Sequence, residues 1–294
     1  MKNILINDGL SQAGKNQLKK FGFKVIDEKI SQDKLSEFIN KNNICIILVR
    51  SATEIRRDTI DKCPTIKLIG RGGVGLDNID VAYAKEKGIH VVNTPSASSQ
   101  SVAELVFAHL FGIARFTYHS NRTMPLEGDL NFKNLKKNYS NGIELRGKTI
   151  GIIGFGKIGQ EVAKIAIGIG MNVLYYDLYN EEEKIKIEFY NKEIYSTHVV
   201  KSDFSNTLKN ADFITLHVPK QKKALINKKE LEKMKKGAII INTSRGGIIN
   251  ETDLIESLND RKTGYAGLDV YEDEPKPRMD ILMNEYISLT LELK

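Results

Sequence analysis

The sequence predicts an α/β protein built from two doubly wound parallel-sheet domains, and three observations carry that expectation. Strand-like and helix-like stretches alternate at short spacing through residues 1 to about 95. A glycine-rich turn at 154–159 follows an apolar strand and leads into a helical pattern. That turn leaves almost half of the 294 residues in front of it, enough for a second domain.

In the first half, residues 3–7 (NILIN) read as a strand, 12–21 as a helix, 24–26 as a strand and 33–41 as a helix. Residues 44–49 (ICIILV) are apolar without interruption, as in a strand covered on both faces. A short helix over 58–63 is stopped by Pro64, and strand 67–70, helix 81–87 and strand 89–92 follow. Residues 98–115 (SSQSVAELVFAHLFGIAR) are amphipathic, open with serines suited to N-capping, and read as a connecting helix. Residues 121–141 are polar and read as an irregular arm or partner contact.

The second half opens with strand 149–153, the turn Gly154-Phe155-Gly156-Lys157-Ile158-Gly159, helix 158–169 and strand 171–176. The first glycine permits the tight turn, the second lets the backbone approach a pyrophosphate, and the third lets the helix pack on the strand. The N–H groups that begin the helix then face the phosphates. Asp177 closes the next strand, eighteen residues past Gly159, where a carboxylate bonds the adenosine ribose and repels a 2′-phosphate. This half therefore reads as a Rossmann domain for NAD rather than NADP. Strands at 212–216, 238–242 and 265–269 continue it.

Composition sets limits on function. Hydrophobic content of 41% and charged content of 28% describe an ordinary globular protein. No apolar run approaches the roughly 20 residues of a membrane span, and the start leads into a strand rather than a signal peptide. Cys45 and Cys63 lack metal-ligand spacing, and Cys45 sits in an apolar run that reads as core. Free thiols, no metal and a cytoplasmic location are expected. The net charge of +7 comes from lysines scattered over the whole length, so no nucleic-acid partner is expected.

Four strand ends carry polar residues suited to a small ligand. They are Arg50-Ser51, Arg71-Gly72-Gly73-Val74-Gly75, Arg245-Gly246-Gly247 and Tyr271-Glu272-Asp273-Glu274-Pro275. The glycines after Arg71 let N–H groups converge as an anion nest. Arg245 offers a planar fork for a carboxylate. Glu274, if buried, could hold an imidazole as it becomes charged. Alternatively, Arg245 and Glu274 close their loops as an ion pair.

Seven motifs in order then carry a resemblance: VRSATEI (49–55), IGRGGVGLDNID (69–80), VVNTP (91–95), GIIGFGKIGQEVA (151–163), DFITLHVP (212–219), INTSRGGIIN (241–250) and AGLDVYEDEP (266–275). Over residues 1 to about 290 the chain resembles the NAD-dependent D-2-hydroxyacid dehydrogenases, with the D-3-phosphoglycerate dehydrogenase branch nearest. The resemblance implies a Rossmann NAD domain (98–285) inserted into a flavodoxin-like substrate domain (1–97, completed by the tail 286–294). It implies that Arg245 binds the substrate carboxylate and 2-oxygen, and that Glu274 partners a catalytic histidine. Gly72, Gly73 and Val74 would offer N–H groups to the carboxylate, with Val74 bordering the nicotinamide. Gly154, Gly156, Lys157, Ile158, Gly159 and Asp177 would hold pyrophosphate and ribose, and His217, Val218, Thr243 and Asp269 would line the cofactor. Arg50 would meet a substrate phosphate.

The implied reaction is NAD-dependent oxidation of a D-2-hydroxyacid, foremost 3-phospho-D-glycerate to 3-phosphooxypyruvate, the first step of serine biosynthesis. A hydroxypyruvate or glyoxylate reductase, or an impaired NAD-binding protein, are the alternatives. A homodimer through 98–145 is also expected. Three departures stand out. Ser98 replaces a usual Asn and Leu130 a usual Trp. Where the family continues Thr-Pro-His-x-Gly, with His as general acid/base, this chain reads Thr290-Leu291-Glu292-Leu293-Lys294, an ending expected to reflect truncation or a shifted reading frame.

Overall fold

The computed structural model describes residues 2–181 and 183–291. They fall into two compact units, one ending at Ser98 and the other beginning at Ser99.

The first unit runs β1 (Asn3–Ile6), α1 (Gln12–Lys20), β2 (Lys24–Asp27), α2 (Leu35–Lys41), β3 (Ile44–Val49), α3 (Arg57–Lys62), β4 (Leu68–Arg71), α4 (Val81–Glu86) and β5 (His90–Asn93). Its five strands are all parallel in the order β2-β1-β3-β4-β5, which is flavodoxin-like winding. Parallel strands are covered on both faces by their crossover helices, which is why they read as apolar runs. Leu5, Ile47 and Ile69 pack with Leu35, Ile39 and Ile60 from the helices. Cys63 is the fully buried thiol; Cys45, expected in the core, is only half-buried.

The second unit begins with α5 (Ser99–Ala114), α6 (Thr117–Glu127) and α7 (Phe132–Tyr139). Then come β6 (Thr149–Ile153), α8 (Lys157–Gly168), β7 (Asn172–Tyr176), β8 (Lys184–Glu188), β9 (Ile194–His198), β10 (Val200–Lys201) and α9 (Phe204–Asn210). It closes with β11 (Phe213–Leu216), α10 (Lys228–Lys233), β12 (Ala238–Asn242), α11 (Glu251–Asn259), β13 (Thr263–Leu268), α12 (Met279–Leu282) and β14 (Ile287–Leu289). Seven strands lie parallel in the order β10-β7-β6-β11-β12-β13-β14. The first six follow the dinucleotide-binding order, with the reversal between β6 and β11.

Two expectations are corrected, and one unassigned stretch takes form. Residues 121–141 are not irregular. They contribute to α6 and α7, where Leu135 is buried and Phe116 packs on Tyr139 and Tyr265. The polar Asn/Lys composition hid that single apolar anchor. Residues between Asp177 and Asp212, unassigned from sequence, hold the antiparallel hairpin β8–β9, whose Ile185 and Ile187 alternate with lysines and pack inward. Finally, the described part of the tail joins the second unit rather than the first. β14 pairs with β13 through Ala266↔Ile287 to Leu268↔Leu289, so its backbone is committed to the second sheet. Residues 292–294, where the family's Pro-His-x-Gly was sought, lie outside the described residues.

Candidate functional site

In open α/β sheets ligands collect beyond the C-terminal strand ends, where the strand order reverses. In the second unit that point lies between the ends of β6 and β11. Gly154 turns there with φ +94°, its N–H donating to Tyr176 O at 2.8 Å, and His217 N–H donates to Ile153 O at 2.7 Å. Gly159 is pressed against the Gly154 carbonyl. Phe155 is fully buried and stacks on Tyr175 at 3.9 Å, which anchors the turn from below. Gly156 differs from its neighbours. It is exposed, and a Cβ there would meet nothing within 4 Å. It caps α8 without a side-chain hydrogen bond, so the helix start presents its first-turn N–H groups, those of Lys157 and Ile158 included, to open space.

Asp177 stands beside this turn. Its Oδ2 accepts the Phe155 N–H at 2.6 Å, and Oδ1 accepts the N–H groups of Tyr179 and Asn180, each at 2.8 Å. Burial pushes this carboxyl up, but the three N–H donors and Lys201 outweigh it and leave it below its ordinary value. It is an anion at neutral pH, held at the end of β7.

Beyond β11 and β12 stand two polar atoms that nothing among the described residues satisfies: His217 Nδ1 and Thr243 Oγ1, both buried. Leu216 and Asn242 are in register, so these two residues leave the sheet side by side. His217 Nε2 lies 2.9 Å from Thr215 Oγ1, and burial pushes the imidazole down to about 3. Val218 packs against the Gly154 turn. Asp269, buried at the end of β13, donates its N–H to Asn242 O at 3.0 Å and accepts from the Thr290 hydroxyl at 2.6 Å. Open space at Gly156, an anion at Asp177 and two orphaned polar atoms across the reversal together fit a dinucleotide.

The next two strand-end loops meet. Gly246 abuts the Tyr271 carbonyl so closely that no side chain fits. Asn242 Nδ2 donates to Arg245 O at 2.9 Å, and Arg245 Nη1 donates to Ser244 O at 2.7 Å, which fixes the arginine's loop. Glu274 is exposed rather than buried, and its Oε1 accepts the Tyr271 N–H at 2.9 Å. Its carboxylate closes its own loop. A cavity of about 730 Å³ lies elsewhere, lined by His109, Tyr118, Arg122, Ser288 and Thr290; no glycine of the turn borders it.

In the first unit the strand order reverses between β1 and β3, and Arg50 begins the loop there. Its N–H donates to Asp8 Oδ2 at 2.7 Å and its carbonyl accepts from Asn78 Nδ2 at 2.7 Å. The exposed guanidinium makes no hydrogen bond or ion pair among the described residues. Asp8 also accepts from the Thr53 N–H and hydroxyl and from Lys29. Burial raises this carboxyl, and Lys29, the Arg50 N–H and Thr53 lower it further, to below its ordinary value. Asp8 was missed from sequence because its partners lie 42 and 45 residues away. The anion nest is narrower than expected. The Gly72 N–H is spent on Val49 O at 2.9 Å and the Gly73 N–H on Thr94 Oγ1 at 2.8 Å. The N–H groups of Val74 and Gly75 have no acceptor among the described residues, and the Gly75 carbonyl is held by Arg71.

These features define a class: a two-unit α/β protein whose second unit is a dinucleotide-binding domain. The family model of the D-isomer specific 2-hydroxyacid dehydrogenase, NAD binding domain, matches residues 107–290. The chain is 41% identical over 275 residues to a hydroxypyruvate reductase of Thermotoga maritima, covering 92% of this chain and 83% of that one. It is 41% identical over 277 residues to a D-3-phosphoglycerate dehydrogenase of Methanocaldococcus jannaschii, covering 94% of this chain and 50% of that one. A solved glyoxylate reductase from Paecilomyes thermophila superposes with a TM-score of 0.79 at 27% identity, covering 99% of this chain and 88% of that one. The chain belongs to the NAD-dependent D-2-hydroxyacid dehydrogenase family of enzymes. It spans about half the length of the phosphoglycerate dehydrogenases it matches. No described helix is long and apolar enough to cross a membrane, and no described group of His, Cys, Asp and Glu could hold a metal.

Proposed function

We propose that this chain binds NAD and a D-2-hydroxyacid carrying a phosphate, foremost 3-phospho-D-glycerate, for oxidation to the 2-oxoacid, the opening step of serine biosynthesis. The observation that carries the phosphorylated substrate is the exposed Arg50 guanidinium. Asp8 and Asn78 fix its backbone from both sides, and its side chain has no partner among the described residues. NAD, when bound, accepts the hydride from C2. Gly154, Gly156, Lys157, Ile158 and Gly159 would hold its pyrophosphate and Asp177 its adenosine ribose. His217, Val218, Thr243 and Asp269, on the other side of the reversal, would line the nicotinamide half, which Val74 would border. Arg245 would orient the substrate carboxylate and polarise the 2-oxygen; in the first unit, the N–H groups of Val74 and Gly75 are the ones left open to an anion.

Proton transfer is the step these residues serve least well. The matching position holds Glu292 rather than histidine. Burial pushes the His217 imidazole down to about 3 and its Nε2 is engaged with Thr215 Oγ1, which argues against its serving as the base. This favours a second reading, an NAD-binding protein with impaired turnover. A hydroxypyruvate or glyoxylate reductase remains the alternative substrate reading, and the Thermotoga maritima relative supports it.

A homodimer through residues 98–145 is proposed from the apolar surface of α5, α6 and the turn into α7, where Phe111, Leu126, Leu130 and Phe132 are exposed. The two free thiols agree with a cytoplasmic setting. NADH binding and NADH production with a panel of D-2-hydroxyacids, read in one preparation, test the function. Turnover with 3-phospho-D-glycerate supports the first reading, turnover confined to unphosphorylated acids supports the reductase, and binding without turnover supports the impaired protein.

A further inference from the structure

A buried histidine that the reaction does not use closes a run of hydrogen bonds behind the ends of β13 and β14. His109 on α5 is 2% exposed. Its ring lies over Gly267 of β13, where a Cβ would come within 2.9 Å of His109 Cγ. Glycine at that point lets the imidazole reach β14. Nδ1 lies 3.0 Å from Ser288 Oγ and Nε2 lies 3.1 Å from Thr290 Oγ1. Thr290 Oγ1 donates to Asp269 Oδ1 at 2.6 Å.

Counting protons assigns the tautomer. A threonine hydroxyl has one proton, and here the carboxylate takes it. Thr290 Oγ1 therefore accepts from His109, which places the ring proton on Nε2. The neutral ring leaves Nδ1 to accept the Ser288 hydroxyl. Burial pushes this imidazole down to about 4, so the same arrangement holds at neutral pH. An apolar side chain would fill this space without the desolvation that a buried imidazole incurs. The polar choice binds two residues of β14 and, through one of them, the carboxylate at the end of β13.

We infer that His109 is a positioning residue for the nicotinamide half of the site: by holding Thr290 Oγ1 it fixes the direction in which Asp269 presents its carboxylate. This rests on the reading that Asp269 lines the cofactor. Without His109, Thr290 Oγ1 loses its donor and rotates, and Asp269 loses its fixed hydroxyl partner. The adenosine and pyrophosphate contacts, made by the β6–α8 turn and Asp177, are untouched.

Calorimetric titration of the full chain with NADH and with ADP-ribose, which shares everything except the nicotinamide ring, tests this. His109→Leu and Thr290→Val are each expected to weaken NADH about three- to tenfold while ADP-ribose changes less than about twofold. His109→Gln, whose amide offers one donor and one acceptor, is expected to restore NADH binding. Equal weakening of both ligands in the two variants, or no change in either, overturns the inference, because a merely structural histidine gives one of those results. Thr290→Val, which keeps the side chain's shape, decides the matter should His109→Leu not fold. Asp269→Ala is run beside them. If it leaves the ratio of the two affinities unchanged, the reading of Asp269 fails and the inference with it. If it shifts the ratio and Thr290→Val does not, the inference alone fails.

Discussion

The carbonyl of His217 leaves no room for a side chain on Gly154: a Cβ there would stand 2.7 Å from the His217 carbonyl carbon and 3.0 Å from Val218 Cγ1. The end of β11 and the first turn of the dinucleotide site are in direct backbone contact. Gly156, two residues on, faces open space. Gly154→Ala should destabilise the second unit by roughly 2–4 kcal/mol, through overlap and a left-handed backbone. Gly156→Ala should leave the urea midpoint nearly unchanged and yet weaken NADH strongly, because its methyl occupies the approach of the pyrophosphate. Urea unfolding and NADH titration of both variants check this; equal loss of stability in the two contradicts it.

Cofactor choice should rest on Asp177. A 2′-phosphate brought against this anion costs enough that NADH should bind at least about tenfold more tightly than NADPH. Asp177→Asn keeps an acceptor oxygen and should narrow that gap. Fluorescence titration with both nucleotides reads the result, and equal affinities in the unmutated chain would refute the assignment.

Arg50→Ala should weaken a phosphorylated 2-hydroxyacid about ten- to a hundredfold, the worth of a charge-assisted hydrogen bond. An unphosphorylated acid should bind almost as before. If both weaken alike, Arg50 serves its loop and the phosphate preference has no support.

Stability should fall with acid in a defined window. His109 is pushed down to about 4 and His217 to about 3 by burial, whereas in an unfolded chain each returns to about 6.5. Between those values the unfolded state binds protons that the folded state does not, so stability is full above pH 6.5 and falls as pH falls. For His109 alone the loss by pH 4 is roughly 3 kcal/mol. His109→Gln removes that titration, so urea midpoints of the variant should fall less steeply than those of the parent between pH 6.5 and 4. Parallel curves would show that His109 is not a buried neutral base.

What the sequence disclosed depended on the distance between cause and effect. The turn at Gly154–Gly159 and the carboxylate of Asp177 were legible because strand, glycines and helix follow one another along the chain. That the Gly72 and Gly73 N–H groups already have acceptors was not legible, because Val49 O and Thr94 Oγ1 lie 21 or more residues away. Whether Glu274 is buried was left open, and it accepts a backbone N–H within its own exposed loop, a matter of local backbone geometry that residue type does not encode. The tail was assigned to the wrong sheet because a three-residue apolar strand carries no mark of its neighbour. His109 was visible in the connecting helix, but its role was not, since its partners are 179 and 181 residues further on.

That last separation has a consequence for how the protein is made. A ribosome adding about 5–20 residues per second completes Ser288 and Thr290 roughly 10–35 s after His109. Throughout that interval α5 can form, but the imidazole it carries has neither of its hydrogen-bond partners, and β13 has no outer neighbour. Because the sheet is parallel throughout, β14 cannot be anticipated by a local hairpin; it has to arrive from the far side of a crossover. The nascent chain therefore passes through a stage in which the nucleotide half of the sheet is assembled while the nicotinamide half still waits for its last strand.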